Sequence, residues 1–368
     1  MSRPISTTSF SRQAAYKRYV LAALAGIALF YGLTPALFFI FPRHFYESSW
    51  SYFEDLVYKS KDFKPEWDGY EFGDLSRDNL FFYREKYFTR VTTDEEGFRT
   101  IPLQATNYPI ALIGDSMAFG HGFSDKDTLS WKLAEELKVP VFNGARIPLL
   151  NDLANPHVVS AKIIIECLEE NNLDRNFFDL QARNPDDVLR PGNLSRWEAL
   201  EAVPAERYFL PSILVRWFER FQNDLKDLKE AGWDFDRLPR YKFYWHPMEP
   251  VDLETAVRKI AERKAYISQK GYLYLFVPVP LKQDIYAEEK ITPFDRQYLG
   301  LLVKKLNERG VAALDLTGLF RENRNLPHLY WHYDTHWNYD GIDLAAHKIA
   351  DFLKEDPQFR ILWAGKKR

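Results

Sequence analysis

Tyr108-Pro109-Ile110-Ala111-Leu112-Ile113-Gly114-Asp115-Ser116-Met117-Ala118-Phe119-Gly120 is the stretch on which the fold turns. A short apolar run stops at a glycine, and a serine follows on the turn into the next element. Such a run, bounded by turn signals, reads as a strand buried on both faces. Ser130 to Leu137 then sets Trp131, Leu133, Ala134 and Leu137 at helical spacing, and Val139 to Phe142 is a second apolar run. Lys162 to Ile165, Tyr272 to Val279 and Val311 to Leu316 supply three more. Helical stretches precede the last two of these. Strand–helix alternation predicts an α/β fold: a central parallel sheet of about five strands in a three-layer α/β/α arrangement.

The rhythm breaks between the third and fourth runs, where residues 173–250 read as a helical insertion, amphipathic around Ile213 to Leu228. At the other end of the chain, Tyr19 to Phe41 is an uncharged, mostly apolar run. A bilayer takes about 20 helical residues to cross. Arg3, Arg12, Lys17 and Arg18 precede the run with no acidic residue among them, and Arg43 and His44, then Glu47, Glu54 and Asp55, follow it. The positive-inside rule then leaves residues 1–18 as a cytoplasmic tail, 19–41 as a transmembrane helix and the rest outside. A cleaved signal peptide is the rival, but its apolar stretch would be shorter, and Leu37 to Phe41 follow the one small residue suited to cleavage, Ala36. Residues 42–90 read as a juxtamembrane region and 91–355 as the main domain. The expected location is the inner (cytoplasmic) membrane, single-pass, with the domain in the periplasm or outside.

Composition sets broader limits on the 368 residues. Hydrophobic residues make up 46% of the chain, enough for a sizeable core and too many for a disordered one. The net charge of -3 gives no basic surplus for nucleic acid, which excludes it as the main partner. One cysteine, Cys167, allows no internal disulfide and leaves the redox compartment open.

Two segments carry chemistry. Ser116 falls where ligands bind in open α/β sheets, beyond the carboxyl end of a strand. Its turn leads into a helix whose first backbone N–H groups can face an oxyanion. Near the C-terminus stands Tyr330-Trp331-His332-Tyr333-Asp334-Thr335-His336-Trp337-Asn338. Asp334 and His336 are two residues apart and fall on one side of an extended segment. A serine hydroxyl needs a base to take its proton, and a histidine held by a carboxylate is such a base. The same segment has a second reading, since His332, Asp334 and His336 alternate at a spacing that suits metal ligands. No second cluster elsewhere completes such a site, and this reading leaves Gly114-Asp115-Ser116 unexplained.

Together the two blocks resemble the SGNH (GDSL) hydrolase superfamily. Residues 114–128 form the longer match, preceded by Thr93 to Arg99, which resembles the segment ahead of the first strand in such proteins. Asp334-Thr335-His336-Trp337 resembles the Asp-x-His-Trp segment of the alginate O-acetylation proteins AlgJ and AlgX. In those proteins the pair precedes the serine; here the serine comes first, as in ordinary SGNH hydrolases. The resemblance implies a flavodoxin-like fold, an acyl-Ser116 intermediate and a triad of Ser116, His336 and Asp334. It also implies an oxyanion hole from Ser116, Gly144 of Phe142-Asn143-Gly144, and Asn171. It calls for no cofactor and no metal. The expected activity is O-acetyl transfer to a polysaccharide or glycan acceptor, with a membrane-bound protein as acyl donor. An esterase using the same residues and a non-catalytic scaffold of a polysaccharide modification complex are the alternatives.

Overall fold

The computed structural model describes residues 8–360 apart from 53–55, 57–65, 83–84, 95–97, 100–104, 106, 146–157, 159, 174–193, 205–206, 235–251, 288–289, 293 and 326–327. Its strands are β1 (Glu66–Phe72), β2 (Lys86–Thr92), β3 (Ile110–Gly114), β4 (Val141–Asn143), β5 (Ile163–Glu169), β6 (Leu273–Val279) and β7 (Ala312–Ala313). The α-helices are α1 (Thr8–Ile40), α2 (Ser49–Tyr52), α3 (Ser116–Phe119), α4 (Leu129–Leu137), α5 (Arg196–Glu201) and α6 (Leu210–Glu230). They continue with α7 (Leu253–Gln269), α8 (Lys282–Tyr286), α9 (Asp295–Glu308), α10 (Thr317–Glu322) and α11 (Tyr339–Glu355).

Strands β3 to β7 form one parallel sheet in the order β4-β3-β5-β6-β7. The order reverses at β3, and such a switch point leaves a crevice at the carboxyl edge of the sheet. Alternate residues of each strand enter separate cores because successive side chains point to opposite faces. Ile110, Leu112, Ile163 and Ile165 pack with Leu133 of α4 and Ile342 and Ile349 of α11. Ala111, Ile113, Ile164 and Phe276 pack with Val257 and Ile260 of α7 and Leu302 of α9. This is the expected central parallel sheet of an α/β fold.

β5 runs four residues beyond the apolar stretch that predicts it. Glu166 interrupts the hydrophobic pattern yet is buried, because Arg263 and the Tyr274 hydroxyl both donate to its carboxylate. β7 stops short because Asp315 accepts from Thr317 N at 2.8 Å and starts α10.

Residues 42–90 do not stand apart as a lead-in. β1 and β2 pair antiparallel, and Tyr46, Tyr52, Leu56 and Trp67 share a core with Leu112 and Ile165. Along β2, Tyr87, Thr89 and Val91 are buried while Lys86, Phe88 and Arg90 are exposed, the period of a half-buried strand. Of the insertion, α5 and α6 are described, and most of the rest lies outside the described residues. Helix α1 spans 33 residues through Pro35, and its end docks on the domain by stacking Phe38 on Tyr208 at 4.8 Å. Among the described residues no helix is long and apolar enough to cross a membrane.

Candidate active site

β3 ends at Gly114, whose φ of 142° lies in the region that favours glycine. A Cβ there would sit 1.8 Å from the carbonyl oxygen of Cys167, so only glycine lets β3 turn this close to β5. Asp115 then caps α3, its Oδ1 accepting from Met117 N at 2.9 Å. Its Oδ2 accepts from Glu169 N at 2.8 Å and from Asn172 Nδ2 at 2.6 Å. Burial pushes the Asp115 carboxyl up from its ordinary range, against those hydrogen bonds. Arg99 fixes the far side of the turn. Its guanidinium donates to the Gly120 carbonyl at 2.9 Å and the Phe123 carbonyl at 2.8 Å, and pairs with Asp125 at 2.9 Å. Ser116 is thus presented half-buried at the carboxyl edge of the sheet, where sequence put it.

The loop from Tyr330 to Asn338 comes to meet it across 220 positions of sequence. His336 Nε2 lies 2.7 Å from Ser116 Oγ, and His336 Nδ1 lies 2.6 Å from Asp334 Oδ1. Lys282, almost fully buried, clamps the loop by donating to the carbonyls of Trp331 at 2.7 Å, His332 at 2.5 Å and Asp334 at 3.3 Å. Burial pushes its ammonium down to about 8, against the pull of Asp334. Asp74 accepts from Thr335 N at 2.8 Å and from the Thr335 hydroxyl. Gly73 lets that segment in: a Cβ there would meet the Tyr333 carbonyl oxygen at 2.4 Å.

Asp334 is fully buried and accepts from His336 N at 3.1 Å and from the Tyr87 hydroxyl. His121 lies against His336 with ring centroids 4.4 Å apart and tilted at 37°, and places Nε2 3.9 Å from Asp334 Oδ2. Burial alone would raise the Asp334 pKa, but His336 and its hydrogen bond hold it well below the usual carboxylate range. For His336, burial works downward and Asp334, with Asp74 and Glu169, more than offsets it and raises the imidazole to about 9. Asp74 is raised to about 7 by burial and then by Asp334, and Glu169 to about 8 by burial and then by Asp115. The arrangement therefore holds an ionised carboxylate behind a histidine that favours the proton, with a serine hydroxyl on the other side.

The oxyanion expectations fare unevenly. Ser116 N, first in α3, has no acceptor among the described residues. Gly144 does not match the expectation, because its N–H donates to the Leu112 carbonyl at 2.8 Å and extends the β3–β4 ladder. The neighbouring Asn143 is also engaged, with Nδ2 3.1 Å from Ser130 Oγ. Asn171 is displaced by its neighbour, since it is Asn172 that reaches the Ser116 turn, through Asp115. The β5 end shifts the register by one relative to the sequence reading. His332 stands outside the group, half-exposed, with Nδ1 3.3 Å from Glu85 Oε1. The histidine that does join Asp334 and His336 is His121, with ligand-type atoms of all three within 4.8 Å of one another. Those of Asp334 and His336 carry the hydrogen bonds to each other and to Ser116.

Sequence reading missed Asp74, Tyr87, His121, Asn172 and Lys282. The alternation along Lys86 to Thr92 was a signal for Tyr87. Nothing local distinguishes Lys282 from a surface lysine.

Residues 238–367 match a family model described as "SGNH hydrolase-like domain, acetyltransferase AlgX". Asp334 and His336 lie inside the matched stretch and Ser116 outside it. No curated protein matches the chain. Over residues 238–367 the chain is similar to the SGNH hydrolase-like domain of AlgX, in line with the resemblance read from the Asp-x-His block.

Proposed function

We propose that the protein is a membrane-anchored serine O-acyltransferase that acetylates a cell-envelope or exported polysaccharide. The single observation that carries the reading is the continuous line Ser116 Oγ–His336–Asp334, with contacts of 2.7 and 2.6 Å. Both fall within about 2.6–3.2 Å, the range for a nucleophile, its base and the group that orients the base. His336 takes the Ser116 proton as Oγ attacks the acyl carbonyl, and Asp334 stabilises the imidazolium that forms. The Ser116 N–H faces the developing oxyanion, and the leaving group departs with the proton from His336. The acyl group then rests on Ser116 until an acceptor hydroxyl, deprotonated by His336, attacks it and frees the serine. The match to a domain described as an acetyltransferase supports acetyl as the group moved, and the resemblance of the Asp-x-His-Trp segment to alginate O-acetylation proteins supports a sugar hydroxyl as acceptor. An esterase differs only in using water as the acceptor.

The acyl donor in this reading is a membrane protein, and the apolar run of residues 19–41, which takes in the end of α1, is an uncleaved anchor holding the domain outside the cytoplasm. The charge asymmetry around that apolar run supports the anchor. A fluorophosphonate probe on the full chain tests the nucleophile: wild type should label and Ser116→Ala should not. Equal labelling of the two removes the proposal. Product analysis with an acetyl ester donor and a glycan acceptor then separates transfer from hydrolysis.

A further inference from the structure

A surface helix ordinarily turns its apolar stripe to the core and its charges to water. Helix α6 departs from this: Arg220, Asp224 and Asp227 turn to the protein beside buried Leu228, while Glu219, Lys226, Lys229 and Glu230 are the charges left exposed. Arg220 pairs with Glu47 at 3.0 Å. Asp224, nearly fully buried, accepts from the N–H groups of Leu80 at 3.0 Å, Phe81 at 2.8 Å and Phe82 at 3.2 Å, and from Asn79 Nδ2 at 2.8 Å. Asp227 accepts from Asn79 at 2.9 Å. The apolar side faces out: Leu214, Val215, Trp217, Phe218, Phe221 and Leu225 are between 38% and 60% exposed. Single exposed apolar residues are ordinary, but a contiguous set rimmed by polar groups marks a contact surface.

The stripe is continuous with the end of α1. The two helices pack together. Trp197, exposed on α5, lies 5.6 Å from Phe39, and Phe39, Ile40 and Phe41 are themselves exposed. Arg196 lays its guanidinium 5.3 Å over the Phe39 ring and donates to the Phe39 carbonyl at 2.6 Å. Aromatic residues beside a cation with a long apolar stem are the chemistry of a membrane–water interface. Among the described residues of α1, Tyr19 to Gly26 are exposed along a run without charge.

We propose that the apolar face of α6 lies in the interfacial layer of a lipid bilayer, beside the point where α1 leaves it. The proposal rests on the anchor reading above and goes beyond it. A domain held by one helix can swivel about that helix. A second contact along α6, about 31 Å long at 1.5 Å per residue, fixes which side of the domain faces the membrane. A large apolar face of Trp, Phe and Leu opposite a charged face is the pattern of a helix lying in that layer.

The test uses the full chain in phosphatidylcholine–phosphatidylglycerol vesicles. A polarity-sensitive fluorophore is placed on one cysteine at a time, in Phe218→Cys, Lys226→Cys or Ala25→Cys; the native Cys167 is buried. The Phe218 label should shift to the blue and lose emission roughly two-fold to a lipid quenched near its headgroup, as fits burial of about 5–10 Å. The Lys226 label, exposed on the flank of α6 away from the apolar stripe, should stay aqueous. The Ala25 label should respond to a quencher at the bilayer centre. An unquenched Phe218 label beside a quenched Ala25 label overturns the α6 proposal and leaves the anchor intact. A blue shift at Phe218 without lipid quenching means a second copy or another protein covers the face, which also overturns it. Quenching at Phe218 but not at Ala25 upholds α6 and removes the anchor.

Discussion

Two buried carboxylates, one within the central sheet and one in the loop at its carboxyl edge, have matching surroundings and opposite uses. Glu166, in the middle of β5, lies between the Arg263 guanidinium and the Tyr274 hydroxyl. Asp334, at the carboxyl edge, lies between the His336 imidazole and the Tyr87 hydroxyl. The first cluster is closed, since arginine keeps its proton under all working conditions and every partner is internal. The second ends on Ser116 Oγ, which is half-buried, through a ring that can gain and lose a proton. The same ingredients stabilise in one place and suit chemistry in the other. The difference is whether the line of bonds ends at an accessible atom and contains a titrating group.

That contrast can be broken by exchanging the damage. In the proposed reaction, His336→Ala should lower kcat on an acyl ester roughly 10⁴-fold, the scale of losing a triad member. It should stay folded but less stable, because the buried Asp334 loses the imidazole that holds it. Near-normal turnover sinks the role given to His336. Arg263→Met should do the reverse. It leaves Glu166 buried without its cation and should cost about 3–5 kcal/mol of stability in denaturant titration. Activity per folded molecule should hold; if it falls with Glu166's neighbours intact, the two clusters are not separate.

Lys282→Met tests whether the Asp334–His336 loop is held from behind. Three carbonyls lose their donor, a loss of about 1–3 kcal/mol, and kcat should fall more than KM rises. A change in KM alone would assign Lys282 to substrate binding instead.

The smallest effect sharpens the electrostatics. In the proposed reaction His336 serves as base only when neutral, so activity should rise with pH, through an apparent pKa above 6.5 and toward 9. The same raised pKa gives folding stability that is full below about 6.5 and is lost as pH rises through about 9. Asp74 favours the imidazolium, so Asp74→Asn should move the acid limb downward by less than about one unit. An unmoved or upward-moved limb removes Asp74 from the site.

Much of this was written locally. The five apolar runs gave the sheet because strands covered on both faces must be apolar throughout. Glycine and serine at the end of the first run mark the turn that presents Ser116, and Asp334 and His336 stand out by their spacing. β5 was read too short because a buried Glu166 looks like a surface residue until Arg263, 97 positions away, is beside it. The hairpin of residues 66–92 was read as a lead-in because its partner surface is made by distant residues.

What only the tertiary structure decided is which donors and acceptors are already taken. Gly144 and Asn171 fit the expected blocks by sequence, but the Gly144 N–H serves the ladder to Leu112 and Asn172 takes the place beside Asp115. Apolar periodicity is a property of each segment, since burial on one face sets one pattern. A hydrogen bond joins two segments, and its geometry is fixed only once both are packed, so Ser116, His336, Lys282 and Tyr87 become one site only in the folded chain.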